Sequence, residues 1–255
     1  MQTPPIMRGG FMSKWSTMGT DLIAARVTLC VVGLLVLIQF AIESVGGFVE
    51  NRELFGKLGL SRQGLASGAL WQPFTHALIH GNWVHLIINA FGLLAIGPRI
   101  ERIGGGRLLL GLLASGWLMG GLFQLILSGG PELIPLVGIS GGVAAGLLWL
   151  TGVSPGSRMW PLPVSGRNLG IGVMLASGFL ALMNPVLGIP VLSEWGAAVG
   201  KYADGGVSHA CHFGGGLLGW GMARWALRPR VSLAKLQKER ARREAADGPN
   251  RRLTR

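Results

Sequence analysis

Residues 108–127 read LLLGLLASGWLMGGLFQLIL, an apolar run broken only by Ser115 and Gln124. A helix needs about 20 such residues to cross a bilayer, so this stretch reads as a membrane span. Val27–Ile42, interrupted only by Thr28 and Gln39, reads the same way. Four weaker apolar stretches complete the pattern: Trp83–Ile100, Leu136–Thr151, Leu169–Met183 and Val207–Leu227. Three of these four carry His, Asn or Ser in their first turns. Polar groups inside hydrocarbon are costly and normally face the protein interior or a water cavity, which makes those positions candidates for function.

The composition agrees. Of 255 residues 49% are hydrophobic, 13% are charged and 43 are Gly, with mean hydropathy +0.48. A soluble domain carries about 25% charged residues. Six spans with their loops use up the chain and leave no room for a soluble catalytic domain, so the function must sit inside or at the edge of the bilayer. The net charge of +12 does not indicate nucleic acid, because the basic residues fall between apolar blocks and in the segment from Lys235 to Arg255. Two cysteines exclude a disulfide scaffold. Cys30 and Cys211 lie inside apolar runs without a second Cys at metal-ligand spacing, and both read as small core residues. Met1–Thr20 has no short apolar stretch ending in a small-residue cleavage site, so the first apolar run is expected to act as an uncleaved anchor.

Charge sets the topology. With the N-terminus in the cytoplasm, the inner segments hold 19 of the 23 Lys and Arg, and the outer loops hold only Arg52, Lys57, Arg62 and Lys201. The positive-inside rule then favours six spans with both termini cytoplasmic. The expected organisation is a cytoplasmic segment over 1–23, a six-helix membrane domain over 24–228 and a basic cytoplasmic tail over 229–255, attracted to anionic lipid headgroups.

That orientation brings separated residues to one depth. Spans two, four and six run from outside to inside, with His85 and Asn89 early in the second, Ser140 in the fourth, and His209 and His212 in the sixth. His85 and Asn89, four apart, share a helix face. The pairs Gly142/Gly146 and Gly215/Gly219 supply small residues for close approach of spans four and six. Ser is a poor nucleophile until a base accepts its proton, and His suits that role near neutral pH. His85, Asn89 and backbone N–H groups around Ser140 are positioned to serve a developing oxyanion. No Asp or Glu lies in either helical window, so the pattern is a Ser140–His212 dyad with Asp204 left out.

At these residues the chain resembles the rhomboid family of intramembrane serine proteases. Gly138-Ile139-Ser140-Gly141 matches the family's GxSG motif. His80, His85 and Asn89 match HxxxxHxxxN, and His212, Gly215 and Gly219 match HxxGxxxG. Glu101 falls where the family has an acidic residue at the inner end of its second helix. The resemblance covers about Trp71 to Trp220. It implies an all-α, six-helix rhomboid-like bundle with Ser140 as nucleophile, His212 as general base, and His85, Asn89 and the Ser140 amide as the oxyanion site. It also implies cleavage of transmembrane segments of other membrane proteins near their outer end. Three positions depart from the pattern: Trp71-Gln72 stands where the family often has Trp-Arg, Ala144 where an aromatic commonly packs under the base, and Cys211 where the residue before the base is often Ala.

Other readings of the same residues are less consistent. Gly138–Gly142 also satisfies G-x-S-x-G, but a soluble hydrolase elbow needs a preceding strand and an acid between Ser and His. Five His could suggest a metal, yet H-E-x-x-H is absent, and neither metal nor cofactor is expected. His76, His80 and His209 are expected to serve as hydrogen-bonding structural residues. A catalytically silent rhomboid-like scaffold that binds transmembrane helices is the rival function, and a channel or carrier is a third. Richness in Gly, Ala and Arg points to a bacterial inner membrane, with transmembrane proteins and membrane lipids as partners and no nucleic acid.

Overall fold

A computed structural model describes residues 25–127, 135–159, 162–203, 208–228 and 233–246. The segment over 1–23, Asp204 and the end of the basic tail lie outside the described residues. Those described are almost wholly helical, with two isolated bridges and no strand among them. Helix α1 is Arg26–Ser44. Four short helices follow: α2 Gly47–Glu50, α3 Arg52–Leu58, α4 Arg62–Ala66 and α5 Gln72–Thr75. Helix α6 runs over Trp83–Leu127, α7 over Ser140–Val153, α8 over Gly166–Leu182, α9 over Leu192–Ala203, α10 over His209–Ala226 and α11 over Leu233–Ala246.

The long helix α6 is two limbs. Gly105 interrupts it with φ 77° and ψ 172°, a conformation open to glycine and strained for other residues. Two expected spans, Trp83–Ile100 and Leu108–Leu127, thus meet at the triple glycine 104–106. Gly142 of α7 meets the backbone of Leu113 in the second limb, while Gly146 meets Ile96 and Ile100 in the first. Gly92 faces Val143, so the first limb runs parallel to α7. Gly120 meets Cys211 and Ser115 meets Met222, so the second limb and α10 run antiparallel. Alternation of direction thus arises from packing alone.

Helix α7 is the centre of the bundle. Apolar on every side, it buries Gly141, Gly142, Ala144, Ala145, Gly146 and most of its second half, as such a helix must. Its neighbours are both limbs of α6, α8 and α10. By contrast α1 buries a single stripe, Thr28, Leu35, Gln39 and Ile42. Its start is held by Glu101, whose carboxylate accepts from the amides of Val27 and Thr28 (3.2 and 2.7 Å) and from the Thr28 hydroxyl (2.6 Å). The acidic residue at the inner end of the first limb therefore supplies the cap that Ala25, the N-cap residue, lacks.

Leu37, Phe40, Ile88, Phe91 and Leu175 stand exposed on the outer helices. So extensive an apolar surface requires apolar surroundings. By length and composition α1 and α6 are able to cross a membrane, while α7 and α8 are apolar but shorter.

Two expectations are corrected here. Cys211 is buried, but Cys30 is exposed on α1. Lipid tails are as apolar as a protein core, so an apolar run does not distinguish the two directions. The fourth stretch is helical only from Ser140, not from Leu136. Leu136 pairs with Leu60 through N–H···O bonds of 2.9 Å in both directions, and Gly138 has φ 103°, which no right-handed helix contains. Part of the basic tail forms α11, where Arg240 and Glu244 pair at 2.9 Å.

Candidate active site

Ser140 owes its position to the non-helical segment before it. The Gly138 amide donates to the His76 carbonyl at 2.8 Å, and the Leu60–Leu136 bridge anchors the segment one turn earlier. The positive φ of Gly138 then turns the chain into α7, leaving half-buried Ser140 as its first helical residue. The N–H groups of a first helical turn lack intrahelical acceptors and form a donor site for negative charge. At 1.5 Å per residue the 14 residues of α7 span about 21 Å, against a hydrocarbon core of about 30 Å. Ser140 therefore stands in the first turn of a short helix, and not five residues into a span that starts at Leu136.

Gly138 also admits the first limb of α6. A Cβ there would lie 2.8 Å from two atoms of the His85 ring and 3.5 Å from Nδ2 of Asn89. His85 and Asn89 therefore share a face directed at the residue two before Ser140. Asn89 is buried, and its Nδ2 meets no acceptor among the described residues. A buried donor without a partner costs about 1–3 kcal/mol unless something completes it, and this one is aimed at the turn that carries the hydroxyl.

Helix α10 brings His212. Ser208 caps it, accepting from the Cys211 amide at 3.1 Å, while its own hydroxyl donates to Oε1 of Gln124 on the second limb of α6. The backbone contact with α7 is closest at two glycines. A methyl group at Gly215 would strike the Gly141 carbonyl, and one at Gly219 the Ala145 carbonyl. The expected stripe on α10 is therefore in place, but its counterpart on α7 is Gly141 and Ala145. Gly142 and Gly146 face α6 instead. Because 215 meets 141 and 219 meets 145, the two helices run parallel, and His212 and Ser140 come to the same end. His212 and His85 lie within range of each other's charge, and the His209 ring stands edge-on to His212 with centroids 6.4 Å apart.

A model of the Rhomboid domain matches residues 67–229. The chain belongs to the rhomboid family. Searched against curated proteins, it has no match. The family comprises in general intramembrane serine proteases, and this rhomboid is accordingly a membrane protein. The matched region takes in α5 through α10 and leaves α1 through α4 and α11 outside it.

The remaining histidines divide. His76 meets the structural expectation, since its Nδ1 donates to the Gln72 carbonyl at 3.0 Å while its own carbonyl holds Gly138. His80 does not: neither ring nitrogen meets a hydrogen-bond partner among the described residues, and the ring packs edge-on against His85 at 5.0 Å. Burial, with His85 as a lesser cause, pushes the His80 imidazole down to about 3, so it is neutral at ordinary pH.

Two positions noted only as departures prove to be structural parts of this rhomboid's site. Gln72 is buried, donating to the Gly56 carbonyl at 2.9 Å and accepting from the Ser61 amide at 3.1 Å. It joins the loop around α3 and α4 to the turn that carries His76. The fully buried sulfur of Cys211 fills the space between Gly120 and Gly141 and receives the Ser140 hydroxyl and the Gly141 amide. Neither role had a signal in composition or spacing. Ala144 is buried and presents only a methyl group where the family pattern has an aromatic.

Proposed function

We propose that this rhomboid is an intramembrane serine endopeptidase that cleaves transmembrane segments of other membrane proteins. The observation that carries the reading is the Asn89 amide, buried and unpartnered beside the turn into Ser140. A scaffold that only binds helices gains nothing from a desolvated donor beside the turn that leads into a serine, whereas an acyl-transfer site needs one.

The chemistry follows from the residues. His212 accepts the Ser140 proton as the oxygen attacks the carbonyl carbon of the scissile peptide. The carbonyl π electrons move onto oxygen, and the oxyanion is held by Asn89, His85 and the Ser140 amide. His212 then gives its proton to the departing amine as the C–N bond breaks, leaving an ester on Ser140. Water, deprotonated by the same imidazole, hydrolyses that ester and restores the enzyme.

In this reading the helical segments α1, the two limbs of α6, α7, α8 and α10 form six spans with both termini cytoplasmic, in a bacterial inner membrane. The site opens toward the outer face. The asymmetry of Lys and Arg supports that orientation. The protein in detergent is expected to react with a fluorophosphonate at Ser140 and to cleave a transmembrane substrate, both activities vanishing in Ser140→Ala while the fold is retained. Labelling or cleavage that survives Ser140→Ala removes the serine assignment, and a wild type inert to both assays favours the scaffold.

A further inference from the structure

Away from the dyad, α10 and the second limb of α6 leave an apolar groove of about 410 Å³ between them. Met119 and Phe123 line it from α6, and Leu217, Met222 and Trp225 from α10. Gly221 also lines the groove, and a Cβ added there would meet nothing within 4 Å, so the space over it is open. Leu217 and Trp225 are exposed, as is the neighbouring Trp220, which places the groove on the outside of the bundle.

One end of the groove is cationic. Gly221, Arg224, Trp225 and Arg228 stand at i, i+3, i+4 and i+7, one face of a helix and its last turn. The Arg224 guanidinium lies 5.8 Å from the centre of the Trp220 ring, and both arginines are exposed. Ser115 touches Met222 at 3.7 Å and the two helices are antiparallel, so Arg107 at the start of the second limb reaches the same level. Neither 107–127 nor 209–228 contains an Asp or Glu. The apolar groove thus runs toward Arg224 and Arg228 on its α10 side, with Arg107 at the same level on the second limb, and neither helical wall carries a carboxylate to offset them.

We propose that the groove binds an anionic phospholipid, one acyl chain lying over Gly221 and the phosphate on Arg224 and Arg228. The walls match a hydrocarbon chain, guanidinium groups bind phosphate through paired N–H donors, and Trp220 and Trp225 suit the headgroup level. A zwitterionic lipid brings the same phosphate with an added cation, which the arginines repel, so the site selects net-anionic lipid. The inference rests on the membrane reading and is independent of proteolysis.

The test uses the full-length protein, delipidated in detergent and titrated with phosphatidylglycerol or phosphatidylcholine, with retained lipid counted by native mass spectrometry. Wild type is expected to prefer phosphatidylglycerol by about five-fold for each arginine that meets the headgroup. The double variant Arg224→Gln, Arg228→Gln should lose the preference. Gly221→Leu, which fills open space, should lose both lipids while its helix content stays unchanged. Equal retention of the two lipids by wild type overturns the proposal, as does Gly221→Leu retaining phosphatidylglycerol like wild type. A Gly221→Leu variant that turns a dimer into a monomer with its lipid count unchanged assigns the groove to a second copy, and also overturns it.

Discussion

Asn89 and the two histidines at the start of α10 carry the sharpest residue-level consequences. If the unpartnered amide of Asn89 meets the oxyanion only as it forms, Asn89→Ala should lower kcat by about a hundred-fold or more with little change in KM. A parallel loss in both would mark a substrate-binding role instead. His209 and His212 are three residues apart on one face, and their rings touch edge-on. Only His212 continues into Gly215 and Gly219, the points where α10 meets the backbone of α7. His212→Ala is therefore expected to reduce turnover by several orders of magnitude, while His209→Ala keeps substantial activity. Both variants measured on one transmembrane substrate in the same detergent decide this, and an inert His209→Ala beside an active His212→Ala reverses the assignment.

Among the elements, the pairing of α7 with α10 sets the separation of nucleophile and base. Its contact is backbone on backbone, so no side-chain rotation relieves an added methyl group. Gly215→Ala should cost about 1–3 kcal/mol of stability, by the usual penalty for overpacking, and should abolish cleavage by driving the helices apart. Gly111→Ala on α6, where an added methyl meets nothing within 4 Å, serves as the control and should leave thermal stability and activity near wild type. Equal behaviour of the two variants in a thermal melt would show that α7 and α10 are not in backbone contact. The loop elements matter for the same site: Gln72 ties α3 and α4 to the turn at His76, and the His76 carbonyl fixes Gly138.

Across the whole molecule, orientation decides which compartment the site faces. Reporters inserted between Arg158 and Arg167 and fused after Arg255 should both read cytoplasmic, and one near Arg52 should read external. A cytoplasmic signal near Arg52 would turn Ser140 toward the wrong face and break the proposed access from outside. Activity should also be insensitive to chelators, since a serine nucleophile comes from a side chain and not from metal-bound water. Loss of cleavage in chelator, restored by zinc, would replace the dyad chemistry.

Local pattern was enough for the helical class, because an apolar run of about 20 residues has few alternatives to a helix in a bilayer. It was enough also for the ordered motifs around His85, Ser140 and His212, whose spacing within each helix is a property of the chain. What depended on tertiary structure was everything set by a neighbour from elsewhere in the sequence. The start of α7 at Ser140 follows from the pairing of Leu136 with Leu60 and of Gly138 with His76, partners more than sixty residues away in each case. Hydropathy sees neither, and so it extended the helix back to Leu136. The division of α7's small residues, Gly141 and Ala145 toward α10 and Gly142 and Gly146 toward α6, is likewise invisible to a pattern that is apolar all round. Cys30 and Cys211 have the same local setting, yet one meets the surroundings and the other Ser140, since in a membrane protein both the core and the solvent are apolar and only packing tells them apart.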